Sequence, residues 1–134
     1  MPAGKIAAGI ELLEQVEGVG PPAQLGDAVT YNIRIYLNRG DEIPINEAQA
    51  ELGIPPGLLR RREGRVLLNH RTTLGRRQVI AGIEKSLVGM ACGGYRRVRV
   101  GPHLAYGEQG VPGRIPGKAV LEIELWLQEI EPTP

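Results

Sequence analysis

The sequence contains no phenylalanine, one tryptophan and one cysteine in 134 residues. Four tyrosines complete the aromatic set, so any core must be built mainly from aliphatic side chains. A single cysteine excludes an internal disulfide and a cysteine-based zinc site. No stretch approaches the ~20 consecutive apolar residues of a membrane-spanning helix, and no membrane partner is expected. Residues 1–14 lack the basic-then-apolar pattern of a secretory signal, which sets the expectation of a cytoplasmic protein. Neither charge dominates: sixteen Lys+Arg against fifteen Asp+Glu leave a net charge of +1. What is abundant is glycine and proline, at 19 and 11 residues. That favours a turn-rich β or α+β chain over a helical bundle. The length suits a single domain over residues 1–134 with one core.

Ile10 to Val16 reads as a first strand, followed by a turn carrying Gly18, Gly20, Pro21 and Pro22. Val29, Tyr31, Ile33, Ile35 and Leu37 then alternate with Thr30, Asn32 and Arg34, the period-2 pattern of a half-buried antiparallel strand. Residues 44–64 behave differently. Asn46 can cap a short helix through Leu52, with Gly53 as its stop. Ile54-Pro55-Pro56-Gly57 cannot continue it, and Arg60, Arg61 and Arg62 read as exposed. The whole stretch is expected to be an insertion. Arg65 to Leu74 returns to extended structure. Val79, Ile80, Ile83, Leu87 and Val88 recur near helical spacing, which predicts one short amphipathic helix over 79–88. Tyr95 to Val100 and Val120 to Leu127 alternate again, separated by a Gly- and Pro-rich loop, and the tail from Glu131 should fray. The order is that of an α+β fold, one antiparallel sheet with one helix on a face.

Chemistry-bearing clusters are sparse. His70 and His103 lack ligand-spaced partners, so no metal is expected, and His70 and His103 read as surface or hydrogen-bonded side chains. Cys92 has no histidine or helix start beside it to activate the thiol. No phosphate-cradling or dinucleotide motif occurs, and no cofactor is expected. Charge is segregated, however. From Arg60 to Arg99 there are eleven Lys+Arg and two acids, a net of +9, and the remainder carries five basic and thirteen acidic residues, a net of −8. Arg60, Arg61 and Arg62 are the residues through which a nucleic acid or ribosome would be met. For Arg97 and Arg99 the competing reading is cross-strand pairing with Glu122 and Glu124.

Several ordered motifs resemble one family. Leu74-Gly75 through Val79-Ile80-Ala81-Gly82-Ile83-Glu84 is similar to the L-G-x-x-x-V-I-x-G-W/x-E segment of FKBP-type peptidyl-prolyl isomerases. Leu87, Gly89, Met90 and Gly93 continue its helix and turn. Pro102-His103-Leu104-Ala105-Tyr106-Gly107 and Gly110 to Pro116 resemble the P-x-x-A-Y-G … G-x-x-P loop, and Leu121 to Leu125 its closing strand. Gly18, Gly20 and Gly26-Asp27 match the opening loop. The match runs over most of residues 10–130, with a break over roughly 44–70.

The resemblance implies a bent antiparallel half-barrel wrapped on one short central helix, with an insertion near residues 44–64. It implies an isomerase of X-Pro bonds in proline-containing polypeptides, acting in protein folding or as a chaperone, with a macrolide as a weak ligand. Carried over residue by residue, Tyr106 matches the tyrosine whose hydroxyl donates to substrate, and the Ile80 backbone N–H the donor to a substrate carbonyl. Val79 and Ile115 match pocket floor and wall. The family's strand tyrosine falls at Ile33, its tryptophan at Ile83, and its closing-strand phenylalanine at Ile123. Its Phe-Asp pair falls near Ile43-Pro44, so the aspartate is absent unless Asp41 or Glu42 substitutes. The further phenylalanine falls near His70. Aliphatic walls stay apolar but lose the flat surface against proline, so the expected activity is weak. The alternative is a binding or chaperone module of the same fold without isomerase activity. The insertion also sets Ile54-Pro55-Pro56 beside the pocket, as an internal pseudo-substrate.

Overall fold

The computed structural model describes residues 4–44, 52–53, 58–62 and 65–132, with backbone alone for 4–5, 58–62 and 65–67. The elements are β1 (Gly4–Ala7), β2 (Ile10–Val16), β3 (Ala28–Leu37), β4 (Glu42–Ile43), β5 (Leu58–Arg62), β6 (Arg65–Thr73), α1 (Ala81–Leu87), β7 (Tyr95–Val100) and β8 (Leu121–Glu131). A 3-10 turn spans Pro102–Leu104. Among the described residues the strands form one sheet in the order β1-β2-β7-β8-β3-β6-β5, with β4 beside β3. Its pairings are antiparallel.

The alternating strands put one face into the core. Val29, Tyr31, Ile33, Ile35 and Leu37 of β3 are buried, as are Leu121, Ile123, Leu125 and Leu127 of β8 and Val98 and Val100 of β7. Each fully buried Leu or Ile contributes about 1.5–3 kcal/mol. The outer face of β3 departs from the expected half-exposure: Thr30 and Asn32 are buried too. The Asn32 amide donates to the Leu68 carbonyl at 2.6 Å and to Asn69 Oδ1 at 2.8 Å, and its oxygen accepts from Gln128 at 2.6 Å. Irregularities after Thr30 in the β3–β8 ladder and after Leu12 in the β2–β7 ladder bend the sheet.

Helix α1 is shorter than its periodicity suggests, because Val79 lies in a bend and Ile80 is the N-cap with ψ 151°. Gly82 lets it lie close to β7: a Cβ there would sit 2.5 Å from Val100 Cγ1 and 3.0 Å from the Leu104 carbonyl oxygen. At its other end the half-buried Arg96 guanidinium donates to the carbonyls of Ser86 and Val88, both at 3.0 Å. These are the acceptors a helix leaves unpaired at its C-terminus.

Three expectations change. Part of the 44–64 stretch is strand, since β5 pairs with β6 from Leu58↔Asn69 to Arg62↔Arg65. The expected helix from Asn46 lies outside the described residues, apart from its last position, Leu52, which sits in a turn with Gly53. Glu131 does not fray: β8 continues to pair it with Ala28, and its carboxylate forms an ion pair with Arg71.

Candidate functional site

The eight residues carried over from the family all belong to the hydrophobic core or pack against it. Ile33 and Ile43 arrive from β3 and β4, Val79 and Ile80 from the approach to α1, Ile83 from α1 itself, and Ile123 from β8. Ile115 and Tyr106 come from the loop between β7 and β8. Ile33, Ile43, Val79, Ile83, Ile115 and Ile123 belong to a single buried cluster, each 8% exposed or less, and Ile80 and Tyr106 pack on its edge.

The loop from Gly101 to Lys118 is held by its own backbone. Gly107 N–H donates to the Pro102 carbonyl at 2.8 Å, Gly110 N–H to the Tyr106 carbonyl at 3.0 Å, and Lys118 N–H to the Gly107 carbonyl at 3.0 Å. Val111 and Ile115 exchange two bonds of 2.8 Å. Gly110, at φ 65°, is required here, because a Cβ would collide with the Ile115 and Pro116 carbonyl oxygens. The loop therefore fixes both Tyr106 and Ile115. On the other side, the Gln78 carboxamide oxygen accepts from Thr72 Oγ1 at 3.0 Å and from Thr73 N–H at 2.8 Å, tying the approach to α1 onto β6.

Two backbone or side-chain donors stand at the edge of the cluster. Among the described residues the Ile80 N–H has no hydrogen-bond acceptor, as expected at a helix N-cap, while its carbonyl takes the N–H groups of Ile83 and Glu84 at 3.1 Å. The half-buried Tyr106 hydroxyl donates to the Leu52 carbonyl at 2.7 Å. Burial pushes its pKa up, so the group is a neutral donor at any physiological pH.

No carboxylate joins the cluster from the β3–β4 turn. Asp41 is exposed and bound to Arg39 at 2.6 Å, and exposed Glu42 faces Arg34 at 3.7 Å, so neither Asp41 nor Glu42 substitutes for the missing aspartate. Ile43 points inward opposite Ile35. His70 is buried rather than at the surface, and its ring lies 5.8 Å from that of Tyr31. Among the described residues no group of three His, Cys, Asp or Glu side chains is placed to hold a metal.

Sequence reasoning missed Leu52 and Tyr31. Leu52 is only 1% exposed and belongs to the same buried cluster. Nothing in the local sequence marks it, since it reads there as the last turn of a helix. Tyr31 had a signal: it lies two positions before Ile33 and so shares its face of β3. Ile54, Pro55 and Pro56, expected beside the pocket, lie outside the described residues.

The strongly basic segment divides in two. Arg99 bridges Glu11 at 2.9 Å and Glu122 at 3.2 Å, and Arg97 faces Glu14 at 3.9 Å. Glu124, opposite Arg97 in register, instead accepts the Tyr36 and Tyr95 hydroxyls at 2.8 and 2.7 Å. These arginines are therefore engaged within the sheet face. The side chains of Arg60, Arg61 and Arg62 are outside the described set.

Comparison with known proteins agrees with this architecture. Residues 67–128 match the model of the FKBP-type peptidyl-prolyl cis-trans isomerase family. FK506-binding protein 2B of Rhizopus delemar is 52% identical over 60 residues, 45% of this chain and 29% of that protein. FK506-binding protein 4 of Aspergillus oryzae is 31% identical over 127 residues, 95% of this chain and 23% of that protein. The chain matches the FKBP-type peptidyl-prolyl isomerase family over residues 67–128 and is similar to an FK506-binding protein along nearly its whole length. It spans less than a third of the length of those two relatives. The crystal structure of FkpA from Escherichia coli is similar over 98% of this chain and 53% of that one, with a TM-score of 0.72 and 25% identity. The fold is thus FKBP-like, an antiparallel open sheet with one short helix among the described residues. The family match covers α1, β7, the Tyr106 loop and most of β8, and begins only after β5.

Proposed function

We propose that this chain is a peptidyl-prolyl cis-trans isomerase of low activity, acting on X-Pro bonds of proline-containing polypeptides. The observation that carries the reading is that Tyr106, with its hydroxyl donor, and Ile80, with its N–H, both pack against the aliphatic core. Amide rotation is slow because resonance is lost in the twisted state, a barrier of about 18–20 kcal/mol. The twisted amide is less dipolar than the planar one, so an apolar, water-poor site favours it, and no acid–base group is needed. The donors hold the carbonyls flanking the bond while the prolyl amide turns. Val79, Ile33, Ile43, Ile83, Ile115 and Ile123 supply the apolar walls.

Aliphatic side chains at the wall positions forgo aromatic contacts worth ~0.5–1.5 kcal/mol each, which supports a low rate and weak macrolide affinity. The absence of a carboxylate beside Ile43 favours a second reading, a polypeptide-binding module of the same fold that does not catalyse. A cytoplasmic setting goes with either. A protease-coupled or NMR exchange assay on a Leu-Pro peptide, with Tyr106→Phe and Ile80→Ala variants, separates the two. Peptide binding without acceleration selects the binding module.

A further inference from the structure

A hydroxyl has one hydrogen to give. The Tyr106 hydroxyl gives it to the Leu52 carbonyl, at 2.7 Å and across 54 positions of chain. Leu52 itself is 1% exposed and belongs to the same hydrophobic core as Val79, Ile83, Ile115 and Ile123, against which Tyr106 packs. Val79, Ile83, Ile115 and Ile123 are each 8% exposed or less, so none presents an open apolar face. One residue thus supplies both things a bound peptide would supply: a carbonyl for the donor and an aliphatic group for the walls.

We propose that Leu52 is an intramolecular occupant of this site, and that a polypeptide binds only by displacing it. The inference rests on the isomerase reading above and adds a regulatory element to it. The segment is tethered on both sides, with β4 ending at Ile43 and β5 beginning at Leu58. A tethered group acts at an effective concentration in the millimolar range, so it competes steadily with free peptide. Apparent peptide affinity falls by the fraction of molecules in which Leu52 is out. Anything that draws the 52–53 segment away would raise activity without altering Tyr106 or the walls.

The test compares wild type with Leu52→Ala in peptide binding and in isomerase kcat/KM on a Leu-Pro peptide. Competition predicts that the variant binds the peptide several-fold more tightly and lowers KM several-fold with kcat little changed. If wild type catalyses and the variant has the same or a higher KM, Leu52 is a bystander or a substrate-contacting wall and the proposal is overturned. If neither protein binds nor isomerises the peptide, the isomerase reading fails and the competition fails with it. A second readout uses the unaltered chain. NMR contacts between Leu52 methyl groups and the Tyr106 ring should disappear as the peptide saturates the site, and their persistence at saturation would overturn the proposal.

Discussion

Tyr31 and His70 face each other across the β3–β6 ladder, with ring centroids 5.8 Å apart and planes tilted by 35°. They are the aromatic pair inside a core that has no phenylalanine. Among the described residues the buried Tyr31 hydroxyl has no hydrogen-bond partner. An unsatisfied buried hydroxyl costs about 1–3 kcal/mol. Tyr31→Phe removes that cost and keeps the ring, so it should leave urea stability unchanged or raise it by up to about 2 kcal/mol. A loss of more than about 1 kcal/mol would mean that the hydroxyl is satisfied in solution.

Gly82 offers an opposite case. Alanine normally gains about 0.5–1 kcal/mol over glycine inside a helix. Here the added methyl group meets Val100 Cγ1 at 2.5 Å and the Leu104 carbonyl oxygen at 3.0 Å. Gly82→Ala should therefore destabilise, by about 1–3 kcal/mol, as α1 is pushed off β7. Denaturant unfolding monitored by circular dichroism checks the sign.

The four tyrosines give a directional pH dependence. All have pKa values raised above the ordinary value of 10. Burial is the main cause in each, seconded by Tyr106 at Tyr31 and by Glu124 at Tyr36 and Tyr95. Above pH 10 the unfolded chain loses phenolic protons that the folded chain keeps, so the unfolded state binds fewer protons and stability falls as pH rises. The contribution is fully present below pH 10. The urea midpoint should stay flat up to about pH 9 and decline beyond about pH 10, with phenolate absorbance rising only as the fold is lost. Phenolate appearing near pH 10 in a fully folded protein would contradict this.

The outer face is a charge ladder, and its pairs are exposed. Arg99→Ala should cost little stability, because screened surface pairs contribute little. Arg96→Ala should cost more, about 1–3 kcal/mol, because it strips two helix carbonyls of their donor in a half-buried setting. The ratio of the two losses in urea melts is the readout.

The strands were legible wherever one face is buried, because a period-2 pattern records burial directly. β2 and β7 match their sequence-derived limits at both ends. The helix start was not, for the same reason: Val79 and Ile80 carry helical spacing because they pack on the core, although Val79 lies in a bend and Ile80 is the non-helical N-cap. β1 escaped because Gly4–Ala7 has too few alternations to register, and pairing with β2 is what makes it a strand. The aliphatic residues carried over by the family resemblance all lie in the hydrophobic core or against it. Leu52 was not legible, since its contact with Tyr106 spans 54 positions of chain, which no local pattern encodes. The missing phenylalanines leave a core that is mainly aliphatic, and among the described residues Asp41 in the β3–β4 turn is bound to Arg39.

The central claim is that the Tyr106 hydroxyl and the Ile80 N–H catalyse prolyl rotation at an aliphatic site. The most direct measurement is the cis/trans exchange rate of a Leu-Pro peptide against protein concentration, for wild type and Tyr106→Phe. The account predicts a rate that rises in proportion to wild-type protein and drops several-fold in the variant, the equivalent of about 1 kcal/mol for one hydrogen bond. A wild-type rate equal to the uncatalysed one at the highest concentration would contradict it.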